Sequence, residues 1–194
     1  MKVVFLNDLN VSNINFEDDI LENIDFSYKS LENIVFDNVK FYSLSFTNSN
    51  FKNIVFNHCE LINCVFLSSN VKDIKINNSK LLNLKVVKSK INKLEIKDSL
   101  ISDVDFDSNK YEMGKVDISK LQFIKYKNSN IKNIDYYYSD LNDLSYFNTK
   151  VKDSKFYTSK MNNVDINFRD FEGSEFSNLQ VLNIVINQGI DIKE

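Results

Sequence analysis

Apolar side chains recur at every fifth residue of this chain. The series begins at Leu6, ends at Ile186 and has an apolar or aromatic residue at all 37 of its positions. Only 43% of the chain is hydrophobic, so chance does not fill every position of such a series. A period of five differs from the roughly 3.6 residues of a helical turn and from the two-residue alternation of a strand. The pattern therefore predicts an internal repeat and a solenoid.

Each unit of five reads as a short extended segment followed by a turn. We call the fifth-position residue the centre; the residue two before it is mostly apolar or small, as in Ile34, Ser49 and Ile54. Residues two apart share one face of a strand, so both are predicted to point inward. Asn or Asp fills 22 of the 37 positions two after a centre. These side chains tolerate left-handed backbone, which makes those positions predicted corners.

Bulky and small inner residues alternate from unit to unit, which suits a closed coil of four walls whose opposite walls are alike. A β-sandwich is the rival, but its strands vary in length and would drift out of a five-residue register. The triplets that start with a small residue and continue with Asn or Asp and an apolar centre are Ser49–Asn50–Phe51, Ser69–Asn70–Val71, Ser129–Asn130–Ile131 and Ser139–Asp140–Leu141. They resemble the motif of the pentapeptide-repeat family.

The resemblance implies the fold of that family, an all-β, right-handed, four-sided parallel β-helix. For this chain it implies about nine coils in a single domain over residues 1–194. The repeat register would cover about 4–186, with a C-terminal strand or tail over 187–194. Bulky inner residues at alternate units depart from the family, which usually has small residues there, and should widen two opposing walls.

Two segments depart from the repeat. Asn109 and Gly114 stand at inner positions in mid-chain, so the stretch 107–118 is a candidate bulge, kink or hinge. The C-terminal segment is the more apolar end and leaves no room for a substantial capping helix. We therefore predict that the last coil makes a homodimer through Val181, Leu182, Ile184, Ile186, Ile190 and Ile192.

Lysine is concentrated near the middle of the chain. Residues 71–97 carry a net charge of +6, whereas the segments on either side are acidic. The candidate anion-binding residues of this belt are Lys72, Lys75, Lys85, Lys88, Lys90 and Lys93. A solvated face is the favoured explanation of the belt, because lysines without interleaved aromatic residues make a weak nucleic-acid site.

Some apolar residues fall at outward positions. Tyr42, Ile62 and Leu82 are 20 apart and should stack on one wall, as should Tyr137 and Tyr157, with Phe147 nearby. Contiguous exposed apolar surface marks an interaction site. Packing between neighbouring coils is the alternative for such ladders.

The sequence offers no catalytic group of residues. His58 is the single histidine, Cys59 and Cys64 fall at inner positions, and three glycines cannot build a phosphate loop. We therefore expect no enzyme activity, no metal and no cofactor.

The charge and hydropathy limit the partners and the location. The net charge is −3 and the pI about 5.3, so nucleic-acid binding is not expected. No apolar run approaches the ~18 residues of a membrane span, and the N-terminal residues do not read as a secretory signal. A cytoplasmic protein that binds no membrane is the expectation.

Two functions remain open. The first is a rigid scaffold for protein–protein interaction, with a partner that the sequence does not name. The second comes from the resemblance, since some bacterial members mimic duplex DNA, bind type II topoisomerases such as DNA gyrase, and protect them from quinolones or toxins. A DNA mimic requires a continuous acidic surface, and the lysine belt interrupts it.

Overall fold

The chain forms a solenoid of stacked coils, and the computed structural model describes residues 8–192. Parallel strands make two sheets around a shared interior, in about eight turns. The predicted all-β, right-handed, four-sided β-helix is confirmed. The count of nine coils is one too high, because the last predicted coil is not built as strands.

Each coil has four walls, numbered here in chain order from the one that contains Val11 as a centre. Walls 1 and 2 form the first sheet, whose eight strands are β1 (Asn10–Glu17), β3 (Ser30–Asp37), β6 (Asn50–Asn57), β9 (Asn70–Asn77), β11 (Lys90–Lys97), β13 (Lys110–Asp117), β15 (Asn130–Tyr137) and β18 (Lys150–Lys152).

Walls 3 and 4 form the second sheet, of eleven strands. They are β2 (Ile20–Glu22), β4 (Lys40–Tyr42), β5 (Ser45–Thr47), β7 (Glu60–Ile62), β8 (Val65–Leu67), β10 (Lys80–Val87), β12 (Leu100–Asp107), β14 (Lys120–Lys127), β16 (Asp140–Asn142), β17 (Ser145–Phe147) and β19 (Lys160–Asn162). A 3-10 turn (Phe168–Asp170) and one α-helix, α1 (Asn178–Asn187), follow.

Nearly every corner of the coil has left-handed backbone. Among the described residues, thirty non-glycine residues have positive φ, and they recur every five positions from Asn13 to Asn163 with one exception, Thr158. Asn and Asp bear this geometry at low cost because their short polar side chains bond locally. The predicted corners from Asn13 to Asn163 are therefore confirmed except at Thr158, and the eight-residue strands turn one corner within their length.

Stacking places each residue directly above the one 20 earlier. Phe16 pairs with Phe36 and Phe36 with Phe56 in the strand register. The rings of this column stack with centroids 5.1 and 5.2 Å apart. Such offset stacks add to the stabilisation from burying the rings. The lumen is thus a set of side-chain ladders that run along the rod.

The inner residues of walls 1 and 3 are mostly small and hydroxylic, and they form hydrogen-bonded ladders. On wall 1, the Ser69 backbone N–H donates to Ser89 Oγ at 3.1 Å. Asn109 takes its place in this ladder, because its Oδ1 accepts from the Ser89 N–H at 2.8 Å and its Nδ2 donates to the Val86 carbonyl at 2.7 Å. Its buried polar atoms are satisfied without any change of backbone path.

The prediction of a bulge or hinge at 107–118 is therefore wrong. Strand β12 pairs with β10 and β14, and β13 with β11 and β15, all without interruption. Gly114 lies in register between Leu94 and Ile134. The side chain of Tyr111 covers the glycine, since a Cβ on Gly114 would stand 2.5 Å from the Tyr111 hydroxyl oxygen. Glycine is needed here for space inside the lumen.

A ten-residue helix replaces the last predicted coil. The expected register up to residue 186, the strand-like tail and the prediction that no capping helix has room are therefore wrong. Ser177 and Gln180 form a capping box at the start of α1. At its end Gly189 has φ +81°, and the N–H groups of Gly189 and Ile190 donate to the Ile186 and Val185 carbonyls. These are the two bonds of a Schellman C-terminus.

The helix closes the C-terminal end of the lumen through two buried side chains. Ile184 is 1% exposed and packs in the core. Gln180 donates from Nε2 to the carbonyls of Phe156 and Ser159, at 2.7 and 2.5 Å. These carbonyls belong to the last coils, where no further strand supplies a donor. The helix thus covers the end of the lumen, although its own outer face is apolar.

We expect Gln180→Leu to lower the free energy of unfolding by about 2 kcal/mol, because it takes the Nε2 donor from the buried Ser159 carbonyl and leaves the Phe156 carbonyl with the Ser159 N–H alone. Urea denaturation followed by circular dichroism measures the change. Gln122→Leu, at a half-buried wall position of β14, is the matched control and should change stability by less than about 0.5 kcal/mol. Equal losses in the two variants would contradict the capping role.

Candidate interaction surface

The predicted ladder on wall 3 is packed rather than exposed. Tyr42, Ile62 and Leu82 are aligned neighbours in β4, β7 and β10, and each is half-buried. The Tyr42 hydroxyl donates to Glu60 at 3.4 Å. Contact between coils thus accounts for this ladder, as the alternative interpretation of the sequence had it.

The predicted aromatic group near the C-terminal end is split. Tyr137 is half-buried; its hydroxyl donates to Asp135 at 3.0 Å, and the Lys115 ammonium lies 5.1 Å from its ring centroid. The bond to Asp135 raises the pKa of Tyr137. Phe147 and Tyr157, by contrast, are exposed, Phe147 on wall 4 and Tyr157 on wall 2.

The lysine belt runs around the rod and forms no single patch. Four of these lysines lie on the first sheet: Lys72, Lys75, Lys90 and Lys93. Lys85 lies on the second sheet, and Lys88 occupies the corner that follows β10. Lys93 pairs with Asp73 at 2.9 Å and Lys75 with Glu95 at 3.7 Å, both across one coil. The hydrogen bond to the Asp73 carboxylate raises the pKa of Lys93. Ion pairs with neighbouring carboxylates thus neutralise part of the positive charge of the belt.

The most unusual surface residues are apolar side chains at corners. Met113, Ile118 and Phe123 occupy three successive corners of one coil, and Tyr138 stands one coil above Ile118. All four have left-handed backbone and all four are exposed. We call these four residues the apolar collar. The sequence carries a signal for them, since they replace Asn or Asp at the corner position.

The collar combines two costs. A left-handed conformation costs an ordinary L-residue about 1–2 kcal/mol, and a β-branched residue such as Ile118, at φ 46°, is a marked outlier. Its side chain is also 57% exposed and that of Tyr138 72% exposed, so burial does not repay the strain. Backbone strain of this kind clusters at functional sites.

Ile118 and Tyr138 border a shallow groove on the wall-3 side of their corner. The groove has a volume of about 430 Å³, and its other lining side chains include Leu100, Lys120 and Asp140. An apolar rim beside one cation, Lys120, and two carboxylates, Asp98 and Asp140, offers both contact area and orienting polar groups. This arrangement is typical of a binding surface.

The residues with reactive side chains that the sequence singled out lie at a corner and in the lumen. Residues 8–192 contain no cluster of three or more His, Cys, Asp or Glu side chains that would hold a metal ion. His58 lies at an exposed corner with Nδ1 3.0 Å from Asp37. Cys59 and Cys64 are buried free thiols, and burial raises the pKa of Cys59 to about 11, which keeps it unreactive at neutral pH.

Comparison with known proteins places the fold. No family model and no curated protein matches the sequence. Among solved structures, a trypsin-treated variant of QnrB1, a plasmid-mediated fluoroquinolone resistance protein, aligns over 96% of this chain and 99% of its own, with 16% identity and a TM-score of 0.61. HetL, a pentapeptide-repeat protein from the cyanobacterium Nostoc sp. strain PCC 7120, aligns over 88% and 90%, with 10% identity and a TM-score of 0.38.

The architecture defines a parallel β-solenoid with a five-residue repeat. The chain has the pentapeptide-repeat fold, as its triplets of Ser, Asn or Asp, and an apolar centre indicated. At 16% identity the likeness to QnrB1 extends to the fold alone.

The collar makes a prediction about stability. Ile118→Asn should raise the free energy of unfolding by about 1 kcal/mol, because Asn bears the left-handed corner at lower cost. Asn78→Ile, two coils below at the same corner, is the reciprocal control and should lower it by a similar amount. Urea denaturation of both variants measures the two effects. If Ile118→Asn lost stability, the strain assigned to the collar would be absent.

Proposed function

We propose that this protein is a rigid, non-enzymatic scaffold that binds another protein through the apolar collar. The observation that carries the proposal is the exposed, strained placement of Ile118 and Tyr138 at one corner. Among residues 8–192, apolar side chains at left-handed corners occur only at Tyr28 and in the collar, so the feature is local. The stacked coils hold it on a stiff support, which reduces the entropy lost on binding.

The corner is convex, so it fits a concave partner. Ile118 and Tyr138 would enter an apolar pocket, and Lys120 and Asp140 in the groove would pair with polar groups at its rim. Aromatic anchors in fully desolvated pockets supply most of the binding energy in such interfaces.

Site-specific photo-cross-linking tests the scaffold role. A photoreactive amino acid at Tyr138 should trap a discrete partner protein in the native host, and Ile118→Asn in the same chain should reduce that product at least tenfold. The control places the same amino acid at Asn78, on the same corner and two coils below the collar, where no product is expected. Equal products from both positions would contradict a collar-specific partner.

We further propose that the protein is a homodimer through α1. Leu179, Leu182 and Ile186 share one face of the helix and are exposed, and Val181, Ile190 and Ile192 lie exposed beside them. Residues 178–190 contain no charged side chain. Because Ile184 fills the core, it is excluded from this interface although the sequence pattern included it.

Sedimentation velocity at micromolar concentration tests the dimer. The unchanged protein should sediment at twice the chain mass, and Leu182→Glu should convert it to monomer by burying a charge in the interface. Lys152→Glu, on the exposed side of β18, is the control and should leave the dimer intact. A monomeric unchanged protein would contradict the proposal.

Protection of a topoisomerase is the second candidate, and it rests on the fold shared with QnrB1. The walls do not favour it, since cations and carboxylates alternate along them, as in the Lys93–Asp73 and Lys150–Asp170 pairs. Gyrase supercoiling with a quinolone, with and without the protein, distinguishes the two roles. A cytoplasmic location is part of the proposal, and buried free thiols suit a reducing compartment.

Among residues 8–192, no helix is long and apolar enough to cross a bilayer.

A further inference from the structure

The aromatic stacking of the lumen is interrupted in the middle of the rod. On wall 4, the rings of Phe46 and Phe66 stack at 4.7 Å, and those of Phe106 and Tyr126 stack at 5.0 Å. Val86 lies in register between Phe66 and Phe106. A valine cannot fill the space that a ring fills in the coils below and above.

A void lies at this interruption. Its volume is about 100 Å³, and inward-facing apolar side chains line it, among them Phe66, Val71, Val86, Leu94, Ile96 and Phe106. Phe66, Val71 and Leu94 are only partly buried, although each points into the lumen. Their remaining accessible surface faces the void, because the walls outside them are continuous strands.

The void has no polar group with which to hold water. The nearby serine ladder turns away from it, since Ser79 Oγ and Ser99 Oγ donate to the carbonyls of Asn77 and Lys97 within the wall, at 2.7 Å each. A buried water needs roughly two to four polar partners, and apolar cavities of about 150 Å³ in other proteins stay dry and take up benzene or xenon.

We propose that this lumen is a binding site for small apolar molecules without hydrogen-bonding groups, in the size range of a noble-gas atom or a short hydrocarbon. Such a ligand regains dispersion contacts that the lining side chains lack. The specificity is for apolar character and slender shape, because the lining extends over several coils and offers no polar contact. The ligand reaches the site by transient local opening of the wall.

Crystals pressurised with xenon test the site. We expect anomalous density for xenon in the lumen between the Phe66 and Phe106 rings. Val86→Phe should abolish that density, because the added ring completes the aromatic column and occupies the void. Absence of xenon from the lumen of the unchanged protein, or ordered water in its place, would overturn the proposal.

Thermal denaturation gives an independent readout in solution. Xenon should raise the Tm of the unchanged protein, since a ligand of the native state stabilises it, and should leave the Tm of Val86→Phe unchanged. Without xenon, Val86→Phe should melt a few degrees higher than the unchanged protein. Val151→Phe is the matched control at a fully buried centre away from the void, and overpacking there should lower the Tm. If Val86→Phe fails to fold, the xenon response of the unchanged protein still decides the proposal.

Discussion

The left-handed corner is the constraint on which the rest of this structure depends. Because a corner recurs every five residues, the coil closes after 20, and each residue stands directly over the one 20 before it. Parallel pairing then follows on every wall, as do the aromatic stacks and the serine ladders. A residue inserted into one wall would shift the alignment of every later ladder, so the register does not tolerate such an insertion. Variation is confined to the choice of side chain at fixed positions.

The sequence predicted what depends on local chemistry. Centres, corners and the Phe16–Phe36–Phe56 stack follow from periodicity and from the tolerance of Asn for left-handed backbone. Asn109 and Gly114 were predicted wrongly because their fit depends on other coils and on a neighbouring ring: the longer amide completes a serine ladder, and a tyrosine side chain fills the space above the glycine. Such compensation in three dimensions leaves no trace in a one-dimensional pattern.

The sequence pattern did not predict the helix α1, because two of its residues continue the five-residue series by coincidence. Val181 and Ile186 continue the five-residue series, yet both are exposed on the helix instead of buried in a coil. The capping box of Ser177 and Gln180 and the terminal Gly189 are readable as helix signals, and they outweigh two further matches to the repeat. The collar has no periodicity of its own, so the repeat pattern did not predict it. The informative corners are those that hold a residue other than Asn or Asp, because such a residue is less suited to left-handed backbone.

The lumen beneath the collar explains how its strain persists. Left-handed backbone at apolar residues survives only where the surrounding structure fixes the chain. In those coils Tyr126 and Tyr146 stack at 4.9 Å, and burial raises the pKa of both far above the usual range. Tyr111 is buried there too, and its hydroxyl has no hydrogen-bond partner within residues 8–192, at a cost of about 1–3 kcal/mol. The coils that carry the collar thus accept a polar cost to hold large rings in their lumen, where the void is about 30 Å³, against about 100 Å³ in the coils just below. Large buried rings restrain the backbone of the coils that carry the strained corners, and such restraint favours a preorganised binding site.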